Sequence, residues 1–213
     1  MFTNLIQRYK DIFFYKTLER NLSDCKDVLD VGCGSNSPIR YIKKKFKSEG
    51  LDLFKKSIAE SREKRIHSTY RIGNISNLDK LYKPKSFDAV IALDVIEHFE
   101  KKEAIALIKK MEKVARKKVI LLTPNVFYRQ GEHEGNPYQI HKSRWGVKDF
   151  KAKSCNVFGL RGLKYMRGEY ASIKYRPWII WGLIAFISEP LLYFIPSLSY
   201  HLFVIKNLYE SEK

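Results

Sequence analysis

The chain contains little cysteine, and the cysteines it has are not arranged for cross-linking or metal binding. Only Cys25, Cys33 and Cys155 occur in 213 residues, and no two of them form a Cys-x-x-Cys pair. Three isolated thiols argue against a disulfide framework and against a zinc site built on cysteine. The composition therefore predicts a protein of a reducing compartment, the cytoplasm.

Apolar runs long enough to cross a bilayer are also missing. A spanning helix needs about 20 apolar residues, and Glu189, Pro190 and Pro196 are expected to divide the apolar C-terminal region into shorter pieces. Near the N-terminus, Arg8 interrupts apolar positions that recur at helical spacing. Residues 1–24 are therefore expected to contain an amphipathic helix lying on the domain rather than a secretion signal.

Acidic residues are few relative to basic ones. Lysine and arginine number 40 against 23 aspartates and glutamates, which gives a net charge of +17. This excess is compatible with nucleic acid, an anionic membrane surface, an acidic small molecule, or simply solvated helix faces. Nucleic acid is less favoured, because the basic residues are dispersed and no aromatic binding platform accompanies them. The oligomeric state stays open.

Short apolar runs alternate with helix-like segments along the first 125 residues. The apolar runs predict strands at 27–31, 50–53, 69–72, 87–93 and 118–123. Helices are predicted at 38–47, 55–64 and 101–114. Beyond Pro124 the pattern loosens and predicts a helix at 147–153 and strands at 155–160 and 198–206. This alternation is typical of a Rossmann-like, doubly wound α/β fold with a mostly parallel, seven-stranded sheet, here as a single domain over 1–213.

A glycine-containing turn follows the first predicted strand. Gly32 and Gly34 stand directly after Asp30-Val31, where the missing Cβ atoms let the backbone pass close beneath a ligand. Asp52 ends the second strand 20 residues after Gly32, where its carboxylate can accept hydrogen bonds from both hydroxyls of a ribose. Ser37 replaces the third glycine of a dinucleotide fingerprint, which disfavours NAD and FAD, and the chain has no P-loop sequence.

Four segments between residues 25 and 125 together resemble the class I S-adenosylmethionine-dependent methyltransferases. Val28–Gly34 is similar to the first motif of that family, and Gly50–Leu53 to the second, whose acid holds the ribose. Ser86–His98 resembles the fourth-strand region of the small-molecule, ubiquinone-biosynthesis-like branch, and Leu122–Asn125 resembles the end of the fifth strand. The resemblance implies an enzyme that binds S-adenosylmethionine and transfers its methyl group by in-line displacement.

The resemblance also implies a cofactor site. Asp30 is expected to favour the positively charged amino-acid end of the cofactor, directly or through water. Asn74 stands where the family often has an acid that contacts the adenine amino group, and Leu53 and Ile75 are expected to flank the adenine ring. The complete expected set consists of Asp30, Gly32, Gly34, Asp52, Leu53, Asn74, Ile75 and Leu93.

Two histidines are the candidate catalytic residues. His98 follows the fourth predicted strand at the ligand-binding edge of the sheet, where it can act as a base toward a hydroxyl acceptor or simply pack over the cofactor. His141 lies in the loop after the fifth strand and, with Arg144 and Trp145, is a candidate for recognising an anion or a ring. The acidic and histidine residues at 132–134 lack the spacing of a ligand set, so no metal is expected.

Residues 165–197 are expected to form an apolar helical insertion before the last strand. One interpretation is that its apolar face docks on the domain or on a second subunit. The other is that it enters a membrane interface, because Trp178 and Trp181 are of the residue type found there, and Arg167 and Lys174 can meet anionic headgroups.

The sequence as a whole predicts methylation, most simply at oxygen, of a small-molecule or lipid-linked acceptor. The expected location is the cytoplasm, with peripheral attachment to a membrane as the alternative. A nucleic-acid methyltransferase and a non-catalytic, membrane-associated scaffold are the other functions considered. The intact set of Asp30, Gly32, Gly34 and Asp52 argues against the scaffold.

Overall fold

The computed structural model describes residues 11–43, 46–126, 140–168 and 172–208. Its strands are β1 (Asp27–Val31), β2 (Lys47–Asp52), β3 (Thr69–Ile72), β4 (Phe87–Leu93), β5 (Ala115–Pro124), β6 (Asn156–Leu163) and β7 (Ser199–Asn207). The α-helices within these ranges are α1 (Ile12–Leu22), α2 (Lys55–Glu63), α3 (Leu78–Leu81), α4 (Lys101–Val114), α5 (Val147–Lys151) and α6 (Trp178–Phe194).

The seven strands form one sheet in the order β3-β2-β1-β4-β5-β7-β6. The first five strands are parallel, and β7 pairs antiparallel with both β5 and β6. The chain reverses its direction of winding between β1 and β4, and in such sheets the crevice outside the carboxyl ends of these strands is where ligands bind. This topology confirms the predicted Rossmann-like, mostly parallel fold.

Helices cover both faces of the sheet. Alternate residues of the central strands belong to two hydrophobic clusters, so each face of the sheet has its own core. Phe14 and Leu18 of α1 are buried in one cluster, and Leu107 and Met111 of α4 are buried in the other. Burial on both faces explains why β4 reads as a continuous apolar run rather than an alternating one.

The predicted helix over 38–47 is wrong. Among the described residues of this range, only Pro38–Tyr41 form a short 3-10 helix, and Lys47 already begins β2, which therefore starts before the predicted 50. Lys47 pairs with Asp27 of β1, so sheet pairing outweighs the local helical preference of this lysine-rich segment. Of the predicted N-terminal helix at 1–24, residues 12–22 form α1, and residues 1–10 lie outside the described part of the chain.

The apolar segment before the last strand forms α6, which continues through Glu189 and Pro190 instead of breaking there. Glu189 is buried, and its carboxylate accepts a 2.7 Å hydrogen bond from the backbone N–H of Arg161 on β6. This inward contact holds the helix on the sheet across the proline, which removes only one main-chain donor. Among the described helices, none is long and apolar enough to cross a membrane.

Close backbone contact seats α6 against β6. A Cβ atom on Gly159 would lie 2.2 Å from the carbonyl oxygen of Leu192, so only glycine fits at that point of the strand. Nearby, the ring of Tyr193 stacks on Phe158 with centroids 4.5 Å apart, and its hydroxyl accepts a 2.8 Å hydrogen bond from Arg20 of α1. These contacts make α6 an integral part of the fold.

Replacing Gly159 with alanine is expected to destabilise the protein by about 1–3 kcal/mol, the usual cost of overpacking a close contact. The free energy of unfolding in urea measures this effect. Gly182→Ala is the matched control, because a Cβ there meets nothing within 4 Å and replaces a glycine inside α6. The free energy of unfolding of the control should rise by about 0.5–1 kcal/mol. Equal stability of the two variants would contradict the packing of α6 on β6.

Candidate cofactor and catalytic site

A cavity of about 480 Å³ lies at the carboxyl ends of β1 and β4. Its floor is the turn that contains Gly32 and Gly34, and one wall is the end of β4 at Leu93. These three residues are the part of the predicted cofactor set that lines the cavity. The other walls come from α1, the start of α2 and β6, so chain segments far apart in sequence enclose one groove.

The glycine turn has a conformation that other residues rarely adopt. Gly32 has a φ of +70°, and a Cβ atom there would lie 2.8 Å from the side chain of Val95. The backbone N–H groups of Gly32 and Cys33 both donate to the carbonyl oxygen of Leu51, which ties the turn to the end of β2. The turn is therefore a fixed platform rather than a free loop.

Asp52 connects this platform to the next helix. One carboxylate oxygen accepts a 2.9 Å hydrogen bond from the N–H of Gly34, and the other accepts a 2.8 Å bond from the N–H of Phe54, just before α2. Each oxygen keeps a second lone pair. A ribose with two adjacent hydroxyl groups can therefore still donate to this carboxylate.

Asp30, which was expected to favour the amino-acid end of the cofactor directly or through water, lies beneath the groove rather than in its lining. Its carboxylate is buried, accepts a 2.5 Å hydrogen bond from the hydroxyl of Ser37, and lies 3.4 Å from Nε2 of His67. Ser37 does line the cavity. Asp30 thus acts through Ser37, by fixing the end of the glycine turn.

The residues expected around the adenine differ in accessibility. Leu53 is 38% exposed and offers an open apolar surface, whereas Ile75 is 9% exposed and packs in the core beneath the sheet. The prediction of a ring-flanking role for the Ile75 side chain is therefore not supported by its position. The side-chain oxygen of Asn74 accepts a 2.9 Å hydrogen bond from the N–H of Ser76 and so also caps a short helical turn.

The groove also contains charged residues that sequence reasoning missed. Arg161 of β6 donates from Nε to the carboxylate of Asp11 at 3.1 Å, and its Nη1 lies 3.4 Å from the carboxylate of Asp94. His201 of β7 contacts the other oxygen of Asp94 at 3.1 Å. Burial alone would lower the pKa of Arg161, but Asp11 and Asp94 outweigh that effect and raise it.

Asp94 stays ionised in this cluster. Burial alone would raise its pKa, but His201 and Arg161 hold the pKa of the carboxyl well below its usual value. Asp94 follows Leu93 directly, so its position at the strand end was visible in the sequence. Its partners were not, because Asp11 and Arg161 are 150 residues apart and meet only through the fold.

The two candidate catalytic histidines lie together. The ring centroids of His98 and His141 are 5.0 Å apart, although α4 and β5 lie between the two residues in the sequence. The carbonyl oxygen of Glu97 accepts hydrogen bonds from the N–H groups of Lys142 and Ser143, which fixes the segment that carries His141. The structure thus brings together residues that the sequence only suggested separately.

His98 is poised in its neutral form. Burial and the neighbouring His141 lower the pKa of the imidazole, and they outweigh the opposing carbonyl groups of Ile140 and Asp94 and the carboxylate of Asp94. Nδ1 lies 3.3 Å from the carbonyl oxygen of Ile140, which can only accept a hydrogen bond. The proton therefore belongs on Nδ1, which leaves the lone pair on Nε2.

Glu97, beside these histidines, is buried, and its surroundings disfavour its ionised form. Burial and the charge of Asp94 raise the pKa of its carboxyl well above the usual value, and the hydroxyl of Thr123 donates to one of its oxygens at 3.0 Å. With His98 and His141 it forms the one potential ligand group among the described residues, with donor atoms within 4.8 Å of one another. A metal bound here would have to displace the proton of Glu97, because metal ligands must be deprotonated. The residues at 132–134 lie outside the described part of the chain.

Trp145 does not form the ring-recognising edge expected for it. It is 1% exposed, stacks on Phe150 with centroids 5.2 Å apart, and donates from its indole N–H to the hydroxyl of Ser143. Lysine side chains cover its ring, with the Lys101 ammonium 3.9 Å from the centroid. Trp145 is thus a structural residue, while Arg144 remains exposed.

Three solved structures have the same fold over nearly the whole chain. An S-adenosylmethionine-dependent methyltransferase from Archaeoglobus fulgidus is 15% identical, with a TM-score of 0.58 over 93% of this chain and 97% of that one. The methyltransferase domain of a bacterial Hen1 protein, CtHen1, is 18% identical, with a TM-score of 0.59 over 93% and 100% of the two chains. Magnesium protoporphyrin IX methyltransferase from Synechocystis PCC 6803, with bound S-adenosylmethionine, is 17% identical, with a TM-score of 0.56 over 93% and 81%.

The family comparison matches the part of the chain that runs from β1 to β5. Residues 29–123 match the family model of a methyltransferase domain, and this range contains the glycine turn, Asp52 and β4. No curated protein matches the chain significantly in sequence. The matched residues supply most of the lining of the groove described above, and Asp11, Tyr15 and Arg161 complete it. Residues 29–123 thus match a methyltransferase domain, and the chain has the fold of S-adenosylmethionine-dependent methyltransferases, as its motifs predicted.

Proposed function

We propose that the protein methylates a hydroxyl group of a small-molecule or lipid-linked acceptor, as an enzyme of the ubiquinone-biosynthesis-like branch. The observation that carries this proposal is the neutral imidazole of His98, paired with His141 beyond the end of β4. A hydroxyl is a poor nucleophile until a base removes its proton. An amine acceptor would need no such base once it is neutral, so the pair favours oxygen.

Groups in the groove and beside it are complementary to both ends of S-adenosylmethionine. At one end, the carboxylate of Asp52 is placed to accept hydrogen bonds from the ribose, and the exposed Leu53 offers an apolar surface for adenine. At the other end, Asp94 and Arg161 present charges of opposite sign, which suit the ammonium and carboxylate of an amino acid. When bound, S-adenosylmethionine supplies an electrophilic methyl group on a positively charged sulfur.

His98 would remove the proton of the acceptor hydroxyl as its oxygen attacks the methyl carbon. The new oxygen–carbon bond forms as the sulfur–carbon bond breaks, S-adenosylhomocysteine leaves, and the proton on Nε2 passes to solvent. His141 would help because its proximity lowers the pKa of His98. Most of the acceleration would come from holding oxygen and methyl in line.

The acceptor class is supported by the surface beside the groove. Glu189 of α6 bonds the backbone of Arg161, a residue that lines the cavity, so the apolar helix and the groove are attached to the same strand. An acceptor with an apolar chain can lie along such a surface while its hydroxyl enters the polar groove. A fully polar acceptor gains nothing from this arrangement.

Asp52→Ala should weaken the binding of S-adenosylhomocysteine by about 1–3 kcal/mol, because the ribose hydroxyls lose a charged acceptor and the N–H of Gly34 loses its partner. Isothermal titration calorimetry measures the affinity. Glu63→Ala, which removes the same charge from an exposed position of α2, is the control and should bind normally. Equal affinities of the two variants would mean that the ribose binds elsewhere.

His98→Gln should lower kcat by a factor of about 10² to 10⁴, the usual contribution of a general base, without changing cofactor affinity. The assay is incorporation of a labelled methyl group into a membrane extract. In the wild type the neutral imidazole is the active form, so the rate rises with pH through the pKa of His98 and levels off. The midpoint of this acidic limb of the pH–rate profile should lie below about 6.5, the ordinary pKa of histidine. The limb should be missing from the profile of His98→Gln.

His141→Gln serves as the second variant in this assay. It should keep the acidic limb but move it to higher pH, because a neighbouring charge that lowers the pKa of His98 has been removed. Activity that disappears on adding EDTA would reassign the cluster to a metal. Full activity of His98→Gln across the pH range would rule out His98 as the base.

A further inference from the structure

The outer face of α6 is apolar where a surface helix is usually polar. We define this apolar face by six large side chains that are between 49% and 77% exposed. They are Ile179, Leu183, Phe186, Ile187, Leu191 and Phe194. Contiguous exposed apolar surface of this kind is rare on monomeric proteins in water and marks a site of interaction.

The one charged residue of α6, Glu189, lies on the inner side of the helix, whereas a helix that faces water usually carries its charges on the outer side. Glu189 is buried toward β6, where it accepts the hydrogen bond from Arg161, and no other position between Trp178 and Phe194 carries a charge. The polar group is thus on the inner side and the apolar groups are on the outer side. Such an arrangement suits a helix whose outer surroundings are less polar than water.

The exposure of this face is built into the fold. The contact of Gly159 with the backbone of Leu192 fixes the rotation of α6 about its own axis, and Tyr193 is held between Phe158 and Arg20. The helix cannot turn its apolar face inward without breaking these contacts. Whatever covers the face must therefore come from outside the described part of the chain.

The segment leading into α6 carries positive charge and interfacial aromatic residues. Lys174 and Arg176 are exposed, as are Tyr165 and Tyr175, and residues 164–178 contain four basic residues against one acid, Glu169. The ring of Tyr175 lies 5.2 Å from that of Trp181, so this segment runs beside the first turns of the helix. Basic residues next to tyrosine and tryptophan are the pattern found where a protein meets lipid headgroups.

We propose that α6 docks the protein onto an anionic bilayer, with the helix lying in the plane of the interface and its apolar face among the acyl chains. A helix of 17 residues is about 25 Å long, which suits this orientation better than a crossing. The positive charges of Lys174 and Arg176, just before the start of α6, favour anionic headgroups. A second copy of the chain is a poorer fit, because it would bring together two molecules of charge +17.

Co-sedimentation of the full chain with vesicles tests this docking without reference to catalysis. Vesicles of phosphatidylcholine mixed with phosphatidylglycerol should retain the protein, and vesicles of phosphatidylcholine alone should retain much less. Tryptophan fluorescence should shift to the blue on binding. Trp178 and Trp181 lie in α6, whereas Trp145 is already buried, so such a shift reports on the helix.

Two sets of substitutions separate the apolar and the electrostatic contributions. Leu183→Ser/Ile187→Ser/Leu191→Ser should weaken binding to the anionic vesicles on the order of 100-fold, since three buried apolar contacts are lost. Lys174→Glu/Arg176→Glu should weaken it by about tenfold or more. The matched control is Lys102→Glu/Lys109→Glu, which changes the net charge equally at exposed positions of α4 and should have an effect of less than about threefold.

All variants should bind S-adenosylhomocysteine like the wild type, which shows that they are folded and that failure of docking is separate from failure of the proposed reaction. The proposal is overturned if the wild type stays in the supernatant with anionic vesicles. It is also overturned if the serine variant binds as well as the wild type. Light scattering that shows a dimer without vesicles, and a monomer for the serine variant, would assign the face to a second copy instead.

Discussion

The hydrogen bond between the N–H of Gly34 and the carboxylate of Asp52 is the interaction on which the site depends. It joins the end of β1 to the end of β2, and the second oxygen of the same carboxylate holds the start of α2 through Phe54. The groups that would grip a ribose are therefore the groups that shape the turn beneath it. Since both strands belong to one parallel sheet, this geometry is set before any ligand arrives, which lowers the cost of ordering the site on binding.

A second constraint comes from the antiparallel end of the sheet. The antiparallel pair of strands β6 and β7 carries Arg161 and His201 to the end of β4 and the start of α1, where they meet two carboxylates, Asp94 and Asp11. A buried cation between two acids is costly to desolvate and is retained only when its partners are well placed. Here Asp11 and Asp94 also line the groove with Arg161. The ion pairs that stabilise the β6–β7 pair therefore also set the charge that the groove presents to the cofactor.

The sequence was informative where function depends on local pattern. β1, β3, β4 and the helix at 101–114 have the predicted bounds. For β1 and β4 a short apolar run marks the strand, and for the helix apolar residues recur at helical spacing, so a short window of sequence is enough. The helix predicted at 38–47 failed because pairing of Lys47 with Asp27 is a long-range effect that no window contains. The same reason explains why Arg161 was missed as a groove residue and why Trp145, read as an exposed edge, is instead stacked in the core. The spacing of residues in the sequence located the glycine turn and Asp52. The wall of the groove that contains Arg161 could not be located in this way, because it comes from a distant segment that meets the turn only in the folded chain.

Arg161 connects the groove with the apolar helix. Its guanidinium lies among the groove carboxylates, while its backbone N–H binds Glu189 of α6 at 2.7 Å. Burial raises the pKa of Glu189 to about 7, so this carboxyl is only partly ionised at neutral pH. Arg161 thereby fixes how the groove is oriented relative to the apolar face of α6. If α6 lies on a bilayer, the groove has one orientation with respect to that surface, and an acceptor anchored in the lipid approaches it from one side only.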